Sequence, residues 1–196
     1  MHIKTASFIG SSTTVNYQSQ DDKPEIALVG RSNVGKSSLI NMLLRHKGLA
    51  KVAGKPGKTQ LINRFLVNET WCLVDLPGYG WAKVSRVTKQ KWQKMLTSYL
   101  LHSQPLRSVM LLVDSRHTPQ QLDLNFINWL HTHHIPFLLI LSKIDKIKRN
   151  QINQNIELLR QALSHIQYDF SKIILTSSHK RIGRQEILHY CQHILK

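Results

Sequence analysis

The sequence predicts an α/β domain in three layers: a mostly parallel central sheet with one antiparallel edge strand and helices on both faces. Two observations carry this prediction. Short apolar runs alternate with longer segments of helical periodicity, the pattern of strands connected through crossover helices. The first of those runs also stops at a Gly-containing turn that opens a helix, as a buried parallel strand does. The length of 196 residues suits one domain that buries its core without metal or disulfide support.

The elements follow in order. Residues 1–23 precede the pattern, are rich in Ser, Thr and Gln, and offer few apolar groups beyond Ile3, Phe8 and Ile9. They read as an N-terminal extension that wraps the domain or frays, with the domain itself over 24–196. An apolar strand is expected at 25–29 and a helix at 36–45. Strands at 61–67 and 70–76 flank Asn68-Glu69, a hairpin turn between an edge strand and an inner one. A helix at 88–101 repeats Trp92, Met95, Leu96, Tyr99 and Leu100 at three- and four-residue spacing. A strand at 109–114 follows, then a helix at 121–131 with Leu122, Phe126, Trp129 and Leu130 on one face. Pro136 opens a strand at 137–141. A helix at 150–163, a strand at 172–175 and a helix at 183–194 complete the chain. Trp71, Trp92, Trp129, Phe65 and Phe137 read as core.

Composition narrows the function classes. The longest apolar runs, 135–141 and 109–113, fall far short of the ~20 residues of a membrane helix. The first ten residues lack an apolar stretch of signal-peptide length, and two distant cysteines, Cys72 and Cys191, fit a reducing cytoplasm. The 27 Lys and Arg against 11 Asp and Glu give a net charge of +16. A polyanionic partner is expected, nucleic acid before a membrane surface, because the cations are scattered and not gathered on one amphipathic helix. His131, His133 and His134 have no Cys or carboxylate nearby and read as a helix end, where His favours the dipole, before a metal site.

Four motifs carry chemistry. Gly30-Arg31-Ser32-Asn33-Val34-Gly35-Lys36-Ser37 fits G-x-x-x-x-G-K-[ST], after a strand and at the start of a helix. Its backbone N–H groups can curl around phosphate oxygens at a helix N-terminus, Lys36 can reach the β- and γ-phosphates, and the Ser37 hydroxyl can ligate Mg²⁺. Leu73-Val74-Asp75-Leu76-Pro77-Gly78 ends a strand in D-x-x-G, which suits Asp75 for the Mg²⁺ shell and the Gly78 N–H for a γ-phosphate. Lys55-Pro56-Gly57-Lys58-Thr59-Gln60 lies between the first helix and the second strand, where Thr59 could complete that shell and be released with the γ-phosphate. Ser142-Lys143-Ile144-Asp145 ends a buried strand. The Asp145 carboxylate can accept two parallel hydrogen bonds from guanine, which adenine cannot supply, and the Lys143 stem can cover the base.

With these residues on the page, the chain resembles the translation-factor class of P-loop GTPases, and within it the EngB (YihA/YsxC) family of bacterial ribosome-assembly GTPases. The resemblance spans nearly the whole chain: GRSNVGKSSLIN from Gly30 to Asn41, KPGKTQ ahead of Asn63-Arg64-Phe65, VDLPGYGWA from Val74 to Ala82, SKID, and Thr176-Ser177-Ser178. It implies a Ras-like fold and GTP or GDP bound by Gly30 to Ser38, by Gly57, Lys58, Thr59, Gln60 and Leu61, and by Asp75, Leu76, Pro77 and Gly78. Ser38 closes the phosphate loop. The guanine end would be Ser142, Lys143, Ile144, Asp145, Thr176, Ser177 and Ser178. It implies Mg²⁺ on Ser37, Thr59 and Asp75, and slow hydrolysis involving Lys36, Thr59, Gly78 and Asn33. It also implies a monomeric, cytoplasmic, ribosome-associated protein acting on the large-subunit precursor, its rRNA and its proteins, without DNA or membrane, and needed for septation.

The chain departs from the pattern in its guanine motif. Ser142 stands where such GTPases carry Asn or Thr. Tyr79 stands where many carry the Gln that orients water, and a phenol in a mobile, exposed loop positions water poorly. In GTPases lacking that Gln, an Asn at the position of Asn33 can coordinate K⁺ across the phosphates. Tyr79 and Trp81, bracketed by Lys83, Arg86 and Lys89, suit contact with RNA or ribosomal protein, while packing of Trp81 on the following helix is an equal reading. Two other functions stand beside the GTPase: a nucleotide-gated rRNA-binding module with incidental hydrolysis, and an ATP-using P-loop enzyme.

Overall fold

The structure, a computed structural model, describes residues 1–13, 23–51, 61–80 and 85–196. Its strands are β1 (Ala6–Ser12), β2 (Glu25–Gly30), β3 (Ile62–Val67), β4 (Trp71–Asp75), β5 (Leu106–Asp114), β6 (Phe137–Ser142) and β7 (Ile174–Leu175). The helices are α1 (Lys36–Leu43), α2 (Arg86–His102), α3 (Gln121–Thr132), α4 (Arg149–Ala162) and α5 (Arg184–Ile194). The strands form one sheet in the order β1-β3-β4-β2-β5-β6-β7. From β4 to β7 all pairings are parallel, and β3 alone runs against the rest.

That reversed strand sits second from the edge, because β1 pairs with it antiparallel. Residues 6–12 carry no two-residue alternation, so sequence periodicity does not reveal them as a strand. The hairpin turn holds them in place. Asn68 and Glu69 both adopt positive φ, as a two-residue hairpin with the right twist requires. The Asn68 side chain accepts from the Lys4 and Thr5 N–H groups and donates to the His2 carbonyl.

Alternation along the inner strands divides the core between two faces. Ala27, Val29, Val109, Leu111, Val113, Leu139 and Leu141 pack with α2, α3 and α4, while Ile26, Leu28, Met110, Leu112, Leu138 and Ile140 pack with α1 and α5. The inner strands are therefore apolar on both sides, as parallel strands between helical layers must be. Two expected elements differ in detail. α3 turns Asp123, Ile127 and Leu130 inward, leaving Leu122 46% exposed and Phe126 and Trp129 partly buried. The strand expected at 172–175 is a 3₁₀ turn (Phe170–Lys172) followed by the two-residue β7. Cys72 and Cys191 are buried free thiols, and among the described residues no helix is long and apolar enough to cross a membrane.

One buried ionic cluster ties four elements at the amino end of β2. The Arg64 Nε donates to Glu25 Oε1 at 2.8 Å, and its Nη1 donates to the Ser12 hydroxyl at 3.1 Å. The other Glu25 oxygen accepts from the Tyr99 hydroxyl of α2, whose ring lies 5.8 Å from the Arg64 guanidinium carbon. Removing one charge strands the other in the core. Arg64→Met is expected to cost about 3–5 kcal/mol in chemical denaturation, whereas Glu25→Gln/Arg64→Met is expected to cost clearly less. Equal losses would show that packing of the Arg64 stem, and not its charge, holds the cluster.

Candidate functional site

The carboxyl ends of β2, β4, β5 and β6 converge on one edge of the sheet, where Gly30, Asp75, Asp114 and Ser142 sit. This is the edge at which parallel sheets bind ligands. The backbone crosses there so closely that side chains have no room. A Cβ on Gly30 would lie 2.4 Å from the Leu112 carbonyl oxygen, and one on Gly78 would lie 2.7 Å from the Gly30 carbonyl oxygen. The loop from Gly30 then curls through Asn33 at φ 63° and Gly35 at φ 109° into α1. Gly35 supplies no side-chain cap, so the first-turn N–H groups of α1 stay available to an anion. Val34 is buried against the α1 side of the core and anchors the loop, while Arg31, Ser32, Ser37 and Ser38 are partly exposed along it.

Lys36 runs back beneath the loop, its Nζ 3.3 Å from the Gly30 carbonyl. Burial pushes its ammonium below the ordinary range, and Asp75 opposes the shift. Asp75 is buried in turn: desolvation raises its carboxyl to about 6 against the pull of Lys36. The Asp75 Oδ1 has no hydrogen-bond partner although it is fully enclosed. A buried carboxylate oxygen left open is the donor a hydrated divalent cation needs, so the residues fit Mg²⁺. Leu76, Pro77 and Gly78 follow as a buried segment, and a Cβ on Gly78 would come within 3.2 Å of both Lys36 Nζ and the Ser32 N. Gly78 therefore borders the same cradle.

A second group of side chains lies where β6 ends. The Ser142 hydroxyl is 2.9 Å from the Val34 carbonyl and 3.1 Å from that of Val113, binding the phosphate loop to β5. Lys143 takes φ 60° and its Nζ donates to the Asn33 carbonyl at 2.6 Å, which lays its stem across the loop. The Ser177 hydroxyl donates to Asp145 Oδ1 at 2.6 Å and holds that carboxyl below the ordinary range. Thr176 pins the next turn through its hydroxyl to the Ile182 carbonyl at 2.8 Å, and its own carbonyl accepts from the Ile144 N–H. Ser178 follows, partly buried. Of the sequence-predicted residues, Gly57, Lys58, Thr59 and Gln60 lie outside the described residues, as does Trp81; Leu61 is exposed ahead of β3.

A family model described as "50S ribosome-binding GTPase" matches residues 25–143. A probable GTP-binding protein EngB from Christiangramia forsetii is 46% identical over 99% of this chain and 98% of its own length, and one from Porphyromonas gingivalis is 43% identical over 99% and 96%. This chain belongs to the EngB family of GTP-binding proteins. Among solved structures, a crystal structure of a probable engB GTP-binding protein superposes with a TM-score of 0.72 at 20% identity, covering 87% of this chain and 98% of the other. A structure of Era with MgGDPNP and a segment of 16S ribosomal RNA superposes at 0.68 and 20% identity over 87% and 56%. At that identity these two establish the fold.

Within this EngB-family site, two carboxylates escaped sequence reading. Asp114 Oδ2 accepts from Lys143 Nζ at 2.9 Å, and its carboxylate is gripped by Arg116 through two contacts at 2.9 and 2.8 Å. Its place at a strand end level with Ser142 was the available signal. Asp123 Oδ1 accepts from the Tyr79 hydroxyl at 2.6 Å, and Phe126 stacks on the Tyr79 ring at 4.5 Å. Tyr79 is accordingly 7% exposed, which corrects the expectation of an exposed loop aromatic. Burial pushes the Asp123 carboxyl upward, against the Tyr79 hydroxyl and the Arg31 charge.

Asp114 yields a prediction with a definite sign. Burial alone would raise its carboxyl, but hydrogen bonds from Arg116 and Lys143 overcome this and hold it at about 2, below its ordinary 3.8. A lowered carboxyl stabilises the fold above its ordinary pKa and loses that contribution as the pH falls toward the folded value. Asp114→Asn is expected to cost about 2 kcal/mol at neutral pH, the gap to the parent closing between pH ~4 and ~2 in urea titrations. A gap independent of pH would assign the loss to packing.

Proposed function

We propose that this chain is a GTP-driven switch in assembly of the large ribosomal subunit, hydrolysing GTP slowly to GDP and phosphate, with a consequent requirement in cell division and septation. The observation that carries the reading is the presence of two groups of side chains on one sheet edge. An uncapped helix start with a buried Lys36–Asp75 pair suits polyphosphate, and an Asp145 fixed by Ser177 suits guanine. In this reading the N–H groups from Gly30 to Ser38 wrap the phosphates and Lys36 reaches the β- and γ-oxygens. Ser37, Asp75 and Thr59 would hold Mg²⁺, which supplies charge to the phosphate oxygens when bound. The Gly78 N–H meets the γ-phosphate, Gly57 to Leu61 contribute to binding the nucleotide, and Asp145 selects the base beneath the Lys143 stem.

Burial of Tyr79 against Asp123 and Phe126 supports slow turnover, since the residue after Gly78 is committed to α3 and cannot orient water. K⁺ coordinated at Asn33 would supply positive charge in its place. The same burial favours a second reading, a nucleotide-gated rRNA-binding module in which hydrolysis is incidental. The net charge of +16, the family description and the RNA held by Era support a ribosomal partner; in this reading a monomer meets it in the cytoplasm.

Two measurements test this. Affinities for GTP, GDP, ATP and xanthine nucleotides with Mg²⁺ are expected to favour guanine in the parent chain and to shift toward xanthine in Asp145→Asn. Equal ATP and GTP binding, untouched by the substitution, would remove the guanine pocket and the assembly role with it. Phosphate release at matched ionic strength is expected to be faster in K⁺ than in Na⁺, and to lose that difference in Asn33→Ala. Identical rates would eliminate the K⁺ assignment.

A further inference from the structure

We infer that the outer face of α2 is a docking surface for the phosphate backbone of RNA, an inference that rests on the ribosomal reading above and gives it a location. Residues 76–113 contain no Asp or Glu and six Lys or Arg. Four of those cations, Arg86, Lys89, Lys91 and Lys94, stand exposed on α2, and no ion pair forms to any of them among the described residues. Some cations elsewhere pair with carboxylates: Arg116 with Asp114, Lys146 with Asp145, Arg160 with Glu157, Lys172 with Asp169.

This arrangement works against the helix that carries it. Arg86 and Lys89 occupy the first turn, at the positive end of the helix dipole, where α2 has no acidic residue. Arg86/Lys89 and Lys91/Lys94 are also like-charge pairs three residues apart, which repel on a helix surface. Among the described residues the Ser85 cap, accepting from the Thr88 N–H at 3.2 Å, favours this end. A local rule broken without compensation among the described residues points to compensation from outside the chain.

The opposite face fixes how the charges are presented. Trp92, Met95, Leu96, Tyr99 and Leu100 are buried against the sheet, so the cations project from an anchored element. Arg86 to Lys94 spans about 12 Å of helix, comparable with roughly three phosphates along one strand of a duplex. The chemistry selects RNA over an acidic protein. Protein interfaces centre on aromatic or apolar anchors, and the helix's large exposed apolar groups are Val87 near one end, 76% exposed, and Leu101 at the other. Distributed point charges are what a phosphate backbone needs. Only seven residues separate Gly78 from Arg86, so the γ-phosphate end of the proposed nucleotide site and this surface are close along the chain.

The test uses the full chain and a fluorescein-labelled ribosomal RNA hairpin, titrated over a range of salt concentrations in GDP and in a non-hydrolysable GTP analogue. Lys89→Gln/Lys91→Gln/Lys94→Gln removes three charges and relieves repulsion in the helix, so folding is retained. Lys4→Gln/Lys47→Gln/Lys196→Gln removes three exposed charges elsewhere as the control. The α2 variant is expected to bind RNA about tenfold or more weakly, with its salt slope lowered by about two to three, while nucleotide affinity stays unchanged and the control loses much less. Equal slopes for the two triple variants would overturn the inference while leaving the ribosomal reading in place. Failure of the parent chain to bind the hairpin in either nucleotide state would overturn both. Loss of binding to purified large ribosomal subunits with hairpin binding intact would identify an acidic protein surface as the occupant and overturn RNA.

Discussion

The site depends on a place where three backbone segments meet too closely for any side chain. Gly30 lies against the Leu112 carbonyl, and Gly78 lies against the Gly30 carbonyl. Because neither position accepts a Cβ, the end of β2, the end of β5 and the segment after β4 form one contact, and what they carry is fixed relative to that contact. Lys36 and Asp75 are both buried beside it, and the charge of each opposes the shift that burial imposes on the other. A buried pair of this kind is costly to desolvate. The cost is consistent with a site kept ready for charged ligands, in which phosphate and cation would replace what the protein leaves unpaired.

The same sheet edge carries two residues in the left-handed region. Asn33 and Lys143 both sit at positive φ, and the Lys143 ammonium bonds the Asn33 carbonyl. For lysine that conformation costs about 1–2 kcal/mol, sustained here because Asp114, itself gripped by Arg116, accepts from the ammonium on the other side. The opposite end of the sheet carries its own ionic cluster, in which Glu25, Arg64 and Tyr99 are buried and Ser103 is partly buried. Two buried charge systems thus bracket β2, one closed and one open to a ligand.

Most of the architecture was legible because the inner strands are apolar on both faces and the helices carry regular apolar spacing. The phosphate loop and SKID were legible because their chemistry is contiguous in the chain. What escaped were partners distant in sequence. Asp114 reaches Lys143, and Asp123 reaches Tyr79 across 44 positions. No local pattern reports such pairings. β1 escaped for a different reason: ASFIGSS is stabilised by Asn68 and by pairing to β3, not by an apolar period of its own. On α3, spacing places Leu122 on one face with Phe126, Trp129 and Leu130, whereas the helix turns the polar Asp123 inward to meet Tyr79.

The two ends of the sheet order bear on how the molecule behaves in crowded surroundings. A long flat outer strand is a template on which another chain can pair, the usual start of aggregation. Here β7 offers only two residues, and β1 is interrupted between Phe8 and Gly10, where the register with β3 shifts. Phe8 is 50% exposed but covers the Phe65 ring at 5.7 Å rather than extending an apolar stripe. Neither margin presents a continuous ladder of free amides and carbonyls. With a net charge that makes copies repel one another, colloidal self-association is disfavoured at both margins, and contact with other macromolecules is left to the helical faces.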